Sequence, residues 1–163
     1  MEIKIVSTYD REEIGALFSE YTEMLIKGVP SIKEYLEIQN YDEELAHLED
    51  KYGLPEGRLY VAYCGGEAAG CIGLKPLNKK SGGVSGEVKR LYVRPEFRGQ
   101  HIGSLLIQRI KEDAGEIGYR HLYLDTLPFL ESAVRLYKRL GFYEIEKYNN
   151  SPMKDGIYMR LDL

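Results

Sequence analysis

The stretch of this chain with the clearest chemical potential runs from residue 87 to residue 104 and reads E-V-K-R-L-Y-V-R-P-E-F-R-G-Q-H-I-G-S. Val88, Leu91, Tyr92 and Val93 have the character of a largely buried strand, and Pro95 ends it. Ile102, Leu105, Leu106 and Ile110 then repeat at the spacing of a helix with one apolar face. The turn between them, Arg98-Gly99-Gln100-His101-Ile102-Gly103, opens that helix, so its first amides lack backbone acceptors and the helix dipole adds partial positive charge. A turn of this kind binds anions. Lys89, Arg90, Arg94 and Arg98 set against Glu96 make the segment locally positive in a chain of net charge −4. The spacing is neither a P-loop, since no Gly-Lys-Ser/Thr follows, nor G-x-G-x-x-G. The expected ligand is one small polyanion.

The elements that position this turn follow from periodicity. Ile3 and Ile5 alternate with Glu2 and Lys4 as in a half-exposed strand. Asp10 can cap a helix beginning about Arg11, whose Ile14, Leu17, Phe18, Tyr21, Met24 and Leu25 keep helical spacing to Gly28. Pro30 stops it, Ser31 can cap a second segment carrying Ile32, Tyr35 and Leu36, and a further turn opens at Asp42 with Leu45 and Leu48 inward. After a loop over 53–57, residues 58–64 and 68–74 form a hairpin about Gly65-Gly66. Gly70 and Gly73 mark close backbone approach or a bulge. Residues 76–85 are polar and read as a mobile loop. Beyond the anion-binding helix, Gly118 is a stop and 121–126 an alternating strand, joined to the strand of Glu87 by one βαβ crossover. Pro128 opens a helix with the stripe Leu130, Ala133, Leu136, Tyr137 and Leu140, and strands at 142–147 and 156–161 finish the chain.

With 163 residues and 44% hydrophobic content, one well-buried core and a single domain over 1–163 are expected. A net charge of −4 argues against a broad nucleic-acid or anionic-membrane surface. The start, M-E-I-K-I-V, has no apolar core with a small-residue cleavage site, and no run approaches the length of a membrane span, so a cytoplasmic protein is the expectation. Cys64 and Cys71 lack C-x-x-C spacing and read as buried thiols. His47, His101 and His121 have no ligand spacing, so no metal is expected.

From Arg98 to Gly103 the turn matches Arg/Gln-x-x-Gly-x-Gly/Ala, and Ala133 to Phe142, A-V-R-L-Y-K-R-L-G-F, matches Ala-x-x-Leu-Tyr-x-x-x-Gly-Phe. With these two motifs in this order and at this separation, the chain resembles the GNAT superfamily of acyl-CoA-dependent N-acyltransferases. The resemblance covers most of the chain. It departs at His101, where glycine is usual, and at Leu130, where many members carry asparagine. A side chain at 101 is acceptable if it points to solvent and the residue keeps a helical φ. The fold implied is α/β (α+β): a central mixed, mostly antiparallel sheet with one parallel βαβ unit, a splayed strand pair and about four flanking helices.

What the resemblance implies for function is acetyl transfer from acetyl-CoA to the primary amine of a small molecule, by direct attack in a ternary complex. The cofactor arm would lie along Leu91, Tyr92 and Val93, and its pyrophosphate on Arg98, Gly99, Gln100, His101, Ile102, Gly103 and Ser104. An alkylammonium has a pKa of about 10.4, so the amine needs a base. Glu87, early on the cofactor strand, is the candidate, through a water; a solvated strand end, or pairing with Lys89 or Arg90, is the bland alternative, and Asp125 is a second candidate base. Tyr137 would protonate the leaving thiolate, although a core tyrosine would occupy the same stripe. Backbone N–H near Tyr92 would face the developing oxyanion. Tyr148 and Asn149 are candidate acceptor contacts, as are Tyr21, Tyr35 and Tyr41, which could equally pack the rim. Other readings are a non-catalytic acyl-CoA-binding or regulatory module, and a peptide or protein N-acetyltransferase. A homodimer through the last strands is expected by analogy only.

Overall fold

The computed structural model describes residues 2–33, 36, 41–77, 84–149, 151 and 153–163. Its elements are β1 (Ile3–Ser7), α1 (Arg11–Gly28), α2 (Tyr41–Ala46), α3 (Leu48–Tyr52), β2 (Arg58–Cys64), β3 (Glu67–Pro76) and β4 (Ser85–Val93). A 3-10 turn (Pro95–Phe97), α4 (Ile102–Ile117), β5 (His121–Thr126), α5 (Glu131–Arg139), β6 (Tyr143–Ile145) and β7 (Ile157–Asp162) follow. The strands form one seven-stranded sheet in the order β1-β2-β3-β4-β5-β7-β6. Every neighbouring pair is antiparallel except β4 and β5. Those two are joined through α4, as the βαβ reading required.

Local signals place most boundaries. Asp10 accepts from the amides of Glu12 at 3.0 Å and Glu13 at 3.4 Å, which caps α1. Gly118, at φ 105°, closes α4 in the left-handed conformation that glycine adopts without a steric cost. Five helices are described rather than about four, because the segment opening near Asp42 breaks at His47 into two short pieces. The helix expected from Pro128 begins at Glu131, since residues 127–130 form a turn in which the Leu130 amide bonds the Leu127 carbonyl at 3.0 Å. Most of the predicted 76–85 loop, and Tyr35, lie outside the described residues.

The core occupies both faces of the sheet. On one face Leu106, Ile107 and Ile110 of α4 are fully buried with Leu122 and Met159. On the other, Ile14, Leu17 and Phe18 of α1 meet Leu59 and Val61, and Leu48 and Tyr52 of α3 join them. Each such aliphatic side chain contributes about 1.5–3 kcal/mol on burial, enough to hold the sheet between its two helical layers. Cys64 and Cys71 are buried free thiols, and burial pushes the Cys71 thiol up to about 12. No described helix is long and apolar enough to cross a membrane.

One irregularity aims the site. Cys71 pairs with Tyr92 and Gly73 with Lys89, so two β4 residues, Arg90 and Leu91, oppose the single Ile72. Arg90 takes φ 63° in this bulge. The bulge shifts the alternation of β4. Val88, Leu91 and Val93 pack with the α4 core, whereas Tyr92 packs with the α1 core and the Arg90 guanidinium lies 5.9 Å from the Phe18 ring.

Candidate active site

The anion turn is built by a short chain of local constraints. Pro95 starts the 3-10 turn, whose Phe97 is buried, and the Arg98 amide bonds the Pro95 carbonyl at 3.2 Å. Gly99 then takes φ 85° and His101 φ 63° before α4 begins. The expectation that residue 101 keeps a helical φ is therefore corrected: His101 is left-handed and stands outside the helix as its N-cap residue, with an exposed side chain. This conformation accounts for a preference for glycine there. Among the described residues, no backbone carbonyl accepts from the amides of residues 99–104; the first bonded one is that of Leu105, to the His101 carbonyl at 3.0 Å. Six consecutive N–H groups at a helix mouth suit a diphosphate. Gly103 admits α5 closely, since a Cβ there would lie 3.1 Å from Leu136 Cδ2.

The turn opens into a cleft. β4 and β5 pair only from Ser85 with His121 to Glu87 with Tyr123, and beyond that point the strands part. The space between and around them measures about 750 Å³. Of the predicted residues, Leu91, Tyr92, Val93, Arg98, Gly99, His101, Ile102, Gly103, Ser104 and Tyr137 line it, as does Tyr21. Gln100 does not; its side-chain oxygen is 3.5 Å from Cys64 Sγ, on the far side of the turn. Glu87, Tyr148 and Asn149 do not line it either.

Tyr137 is buried and its ring packs edge-on against Phe142 at 5.7 Å. Burial, and then the nearby charge of Asp125, raise its pKa well above the ordinary tyrosine value, so the hydroxyl is protonated at neutral pH.

Glu87 sits just behind the cleft with only 4% of its surface exposed. It accepts from the Tyr148 hydroxyl at 2.6 Å and from Lys75 Nζ at 3.2 Å, and Lys89 Nζ stands 3.9 Å away. Burial alone would raise its pKa. Lys89, Lys75 and the Tyr148 hydrogen bond outweigh burial and hold the carboxyl below the usual range, so it is ionised at neutral pH. The second predicted carboxylate, Asp125, does line the cleft, and accepts from Asn149 Nδ2 at 2.9 Å. Tyr148 and Asn149 thus each hold one carboxylate.

Sequence reasoning missed a second buried group. Glu44 of α2 accepts from Arg90 Nε and a terminal guanidinium nitrogen at 3.2 Å each, from the Tyr52 hydroxyl at 3.1 Å, and from Lys51. This bidentate pair fixes Arg90, which lines the cleft. Forty-six residues separate the partners, and no local pattern could have joined them.

The chain matches the Acetyltransferase (GNAT) family over residues 18–142. It is 42% identical over 140 residues to an uncharacterized N-acetyltransferase of Schizosaccharomyces pombe, covering 81% of this chain and 84% of that protein. An acetyltransferase of the GNAT family from Staphylococcus aureus Mu50 superposes with a TM-score of 0.77 at 23% identity over 99% of each chain. An N-acetyltransferase of Thermoplasma acidophilum, solved in complex with coenzyme A, does so with a TM-score of 0.75 at 18% identity over the whole of both chains. The anion turn, the parted strands and these matches agree that the chain belongs to the GNAT family and is an acyltransferase.

Proposed function

We propose that this single-domain protein transfers an acetyl group from acetyl-CoA to the primary amine of a small molecule, by direct attack within a ternary complex. The observation that carries the reading is the convergence, on one cleft, of the amides of Gly99 and of residues 101–104, which no backbone carbonyl accepts, with an unpaired strand edge and a protonated tyrosine. The amides of residues 99–104 would hold the diphosphate, and the edge of β4 over residues 91–93 would hold the pantetheine arm. Acetyl-CoA would supply an activated acyl thioester. Amides of β4 near Tyr92 would face the oxygen on which charge develops. Tyr137 would give its proton to the departing sulfur.

The amine must first lose a proton. Glu87 is ionised and would take it through a water, since its carboxylate does not line the cleft. Its ion pairs make it a weak base. Asp125 lines the cleft and is the direct alternative. Tyr148 and Asn149 would serve the acceptor through the two carboxylates they hold.

Release of free thiol from acetyl-CoA across a panel of primary amines tests the reading. Amine-dependent release is expected. Tight coenzyme A binding with no release for any amine would instead favour a non-catalytic acyl-CoA-binding module, and competition by peptides would favour a protein acceptor. Comparing Glu87→Gln with Asp125→Asn identifies the base: the variant whose kcat falls about 10²–10⁴-fold marks it.

A further inference from the structure

Lys89 is a cleft-lining cation that shares its carboxylate partner, Glu87, with Lys75. It stands on β4 two residues beyond the last pair with β5, Glu87 with Tyr123. Its side chain is 13% exposed, and its ammonium is 3.9 Å from Glu87, beyond hydrogen-bond reach. Glu87 is already bonded by Lys75 and Tyr148. The other carboxylate of this network, Glu44, is taken by Arg90, Lys51 and Tyr52. Lys75 and Lys89 thus share the one carboxylate of Glu87, while Glu44 faces Lys51 and Arg90. The crowding is felt at Lys51, whose ammonium is pushed down to about 8 by burial first and by Arg90 next, with Lys89 adding to the effect.

Asp125 occupies the corresponding place on the other strand, two residues beyond the same pair, and also lines the cleft. Tyr137, the group assigned to the leaving sulfur, lines the same cleft, and the Asp125 charge acts on its hydroxyl. A cation on one strand and an anion on the other bracket the point where the sheet opens. Building on the acetyltransferase reading, we propose that the acceptor is an amino carboxylate, its carboxylate held by the Lys89 ammonium and its amine by Asp125. A wall formed by Leu25, Ile32, Leu36, Leu127 and Met153 suits an apolar remainder.

Matched acceptor pairs that differ by one carboxylate test this: leucine against isopentylamine, phenylalanine against phenethylamine, and 6-aminohexanoate against hexylamine. In at least one pair the carboxylate-bearing acceptor should have the higher kcat/KM, by about 10- to 100-fold, the worth of one charge-assisted hydrogen bond. Lys89→Met should collapse that ratio and Lys89→Arg should retain part of it. A merely structural lysine would not move a ratio between two substrates of one protein. Equal or better use of the decarboxylated amine in every pair overturns the proposal and leaves acetyl transfer standing, as does a preference that survives in Lys89→Met. Failure of every acceptor to release thiol overturns the acetyltransferase reading itself, and this inference with it.

Discussion

Replacing Tyr137 with phenylalanine isolates one oxygen atom. The ring keeps its edge-on packing against Phe142 and its place in the core beneath α4, because phenylalanine has the same ring. The hydroxyl lines the cleft and has no hydrogen-bond partner among the described residues, so its removal strands no donor or acceptor. The fold should therefore lose less than about 1 kcal/mol, which for a chain of this size lowers Tm by no more than about 4 °C. Coenzyme A affinity should persist, since the amides of residues 99–104 belong to a different element. The chemical step is another matter. A positioned acid contributes about 10²–10⁴-fold, equivalent to about 2.7–5.5 kcal/mol of barrier, and kcat should fall by that factor. The sign with pH follows from the raised pKa: Tyr137 is in its acid form at neutral pH, and any alkaline loss of wild-type kcat due to it lies above the ordinary tyrosine value of about 10. Thiol release at saturating acetyl-CoA and amine, calorimetric titration of coenzyme A and a thermal melt give the three quantities. Unchanged turnover would remove the acid role. A large loss of Tm or of coenzyme A affinity would show that the hydroxyl has a structural duty.

Three further outcomes are expected. His101→Gly should raise Tm by about 1–4 °C, because the left-handed conformation costs a non-glycine residue about 1–2 kcal/mol, against about 0.5–1 kcal/mol of extra chain entropy for glycine. Glu44→Gln should cost about 3–5 kcal/mol by leaving Arg90 and Lys51 without their carboxylate. Burial would raise the Glu44 pKa, but Arg90 and Lys51 outweigh it and hold the carboxyl below the ordinary glutamate value, so this stability is present above that value and is lost as pH falls through the folded one; melts from pH 6 to pH 3 should therefore converge for wild type and variant. Gly103→Val should weaken coenzyme A binding about 10- to 100-fold while leaving the protein folded, since even a Cβ there stands 3.1 Å from Leu136 and the added branches crowd the amide row; a dissociation constant like that of wild type would contradict the cradle.

The sequence determined what depends on neighbours in the chain. Pro95, Gly99 and the apolar stripe from Ile102 specify a turn and a helix mouth, and backbone amides bind whatever their side chains are. The capping of α1 by Asp10, the stop at Gly118 and the extent of β5 were legible for the same reason. Gly70 and Gly73 were readable as points of close approach, and a Cβ at either would collide, with the Tyr92 carbonyl at 2.5 Å or the Tyr52 ring at 2.7 Å.

Tertiary structure alone decided which charges meet. The bulge at Arg90 changes the face on which later β4 residues lie, and it depends on pairing with β3 rather than on the residues of β4. Glu87 looked like a carboxylate at a strand end; Lys75, from β3, and Tyr148, sixty-one residues on, enclose it and set it behind the cleft. Lys89, read in the sequence as local positive charge and as an alternative partner of Glu87, does stand 3.9 Å from that carboxylate, but Lys75 and Tyr148, from other elements, hold its hydrogen bonds. Charges act through space, and their balance is fixed only once the chain has brought distant groups together.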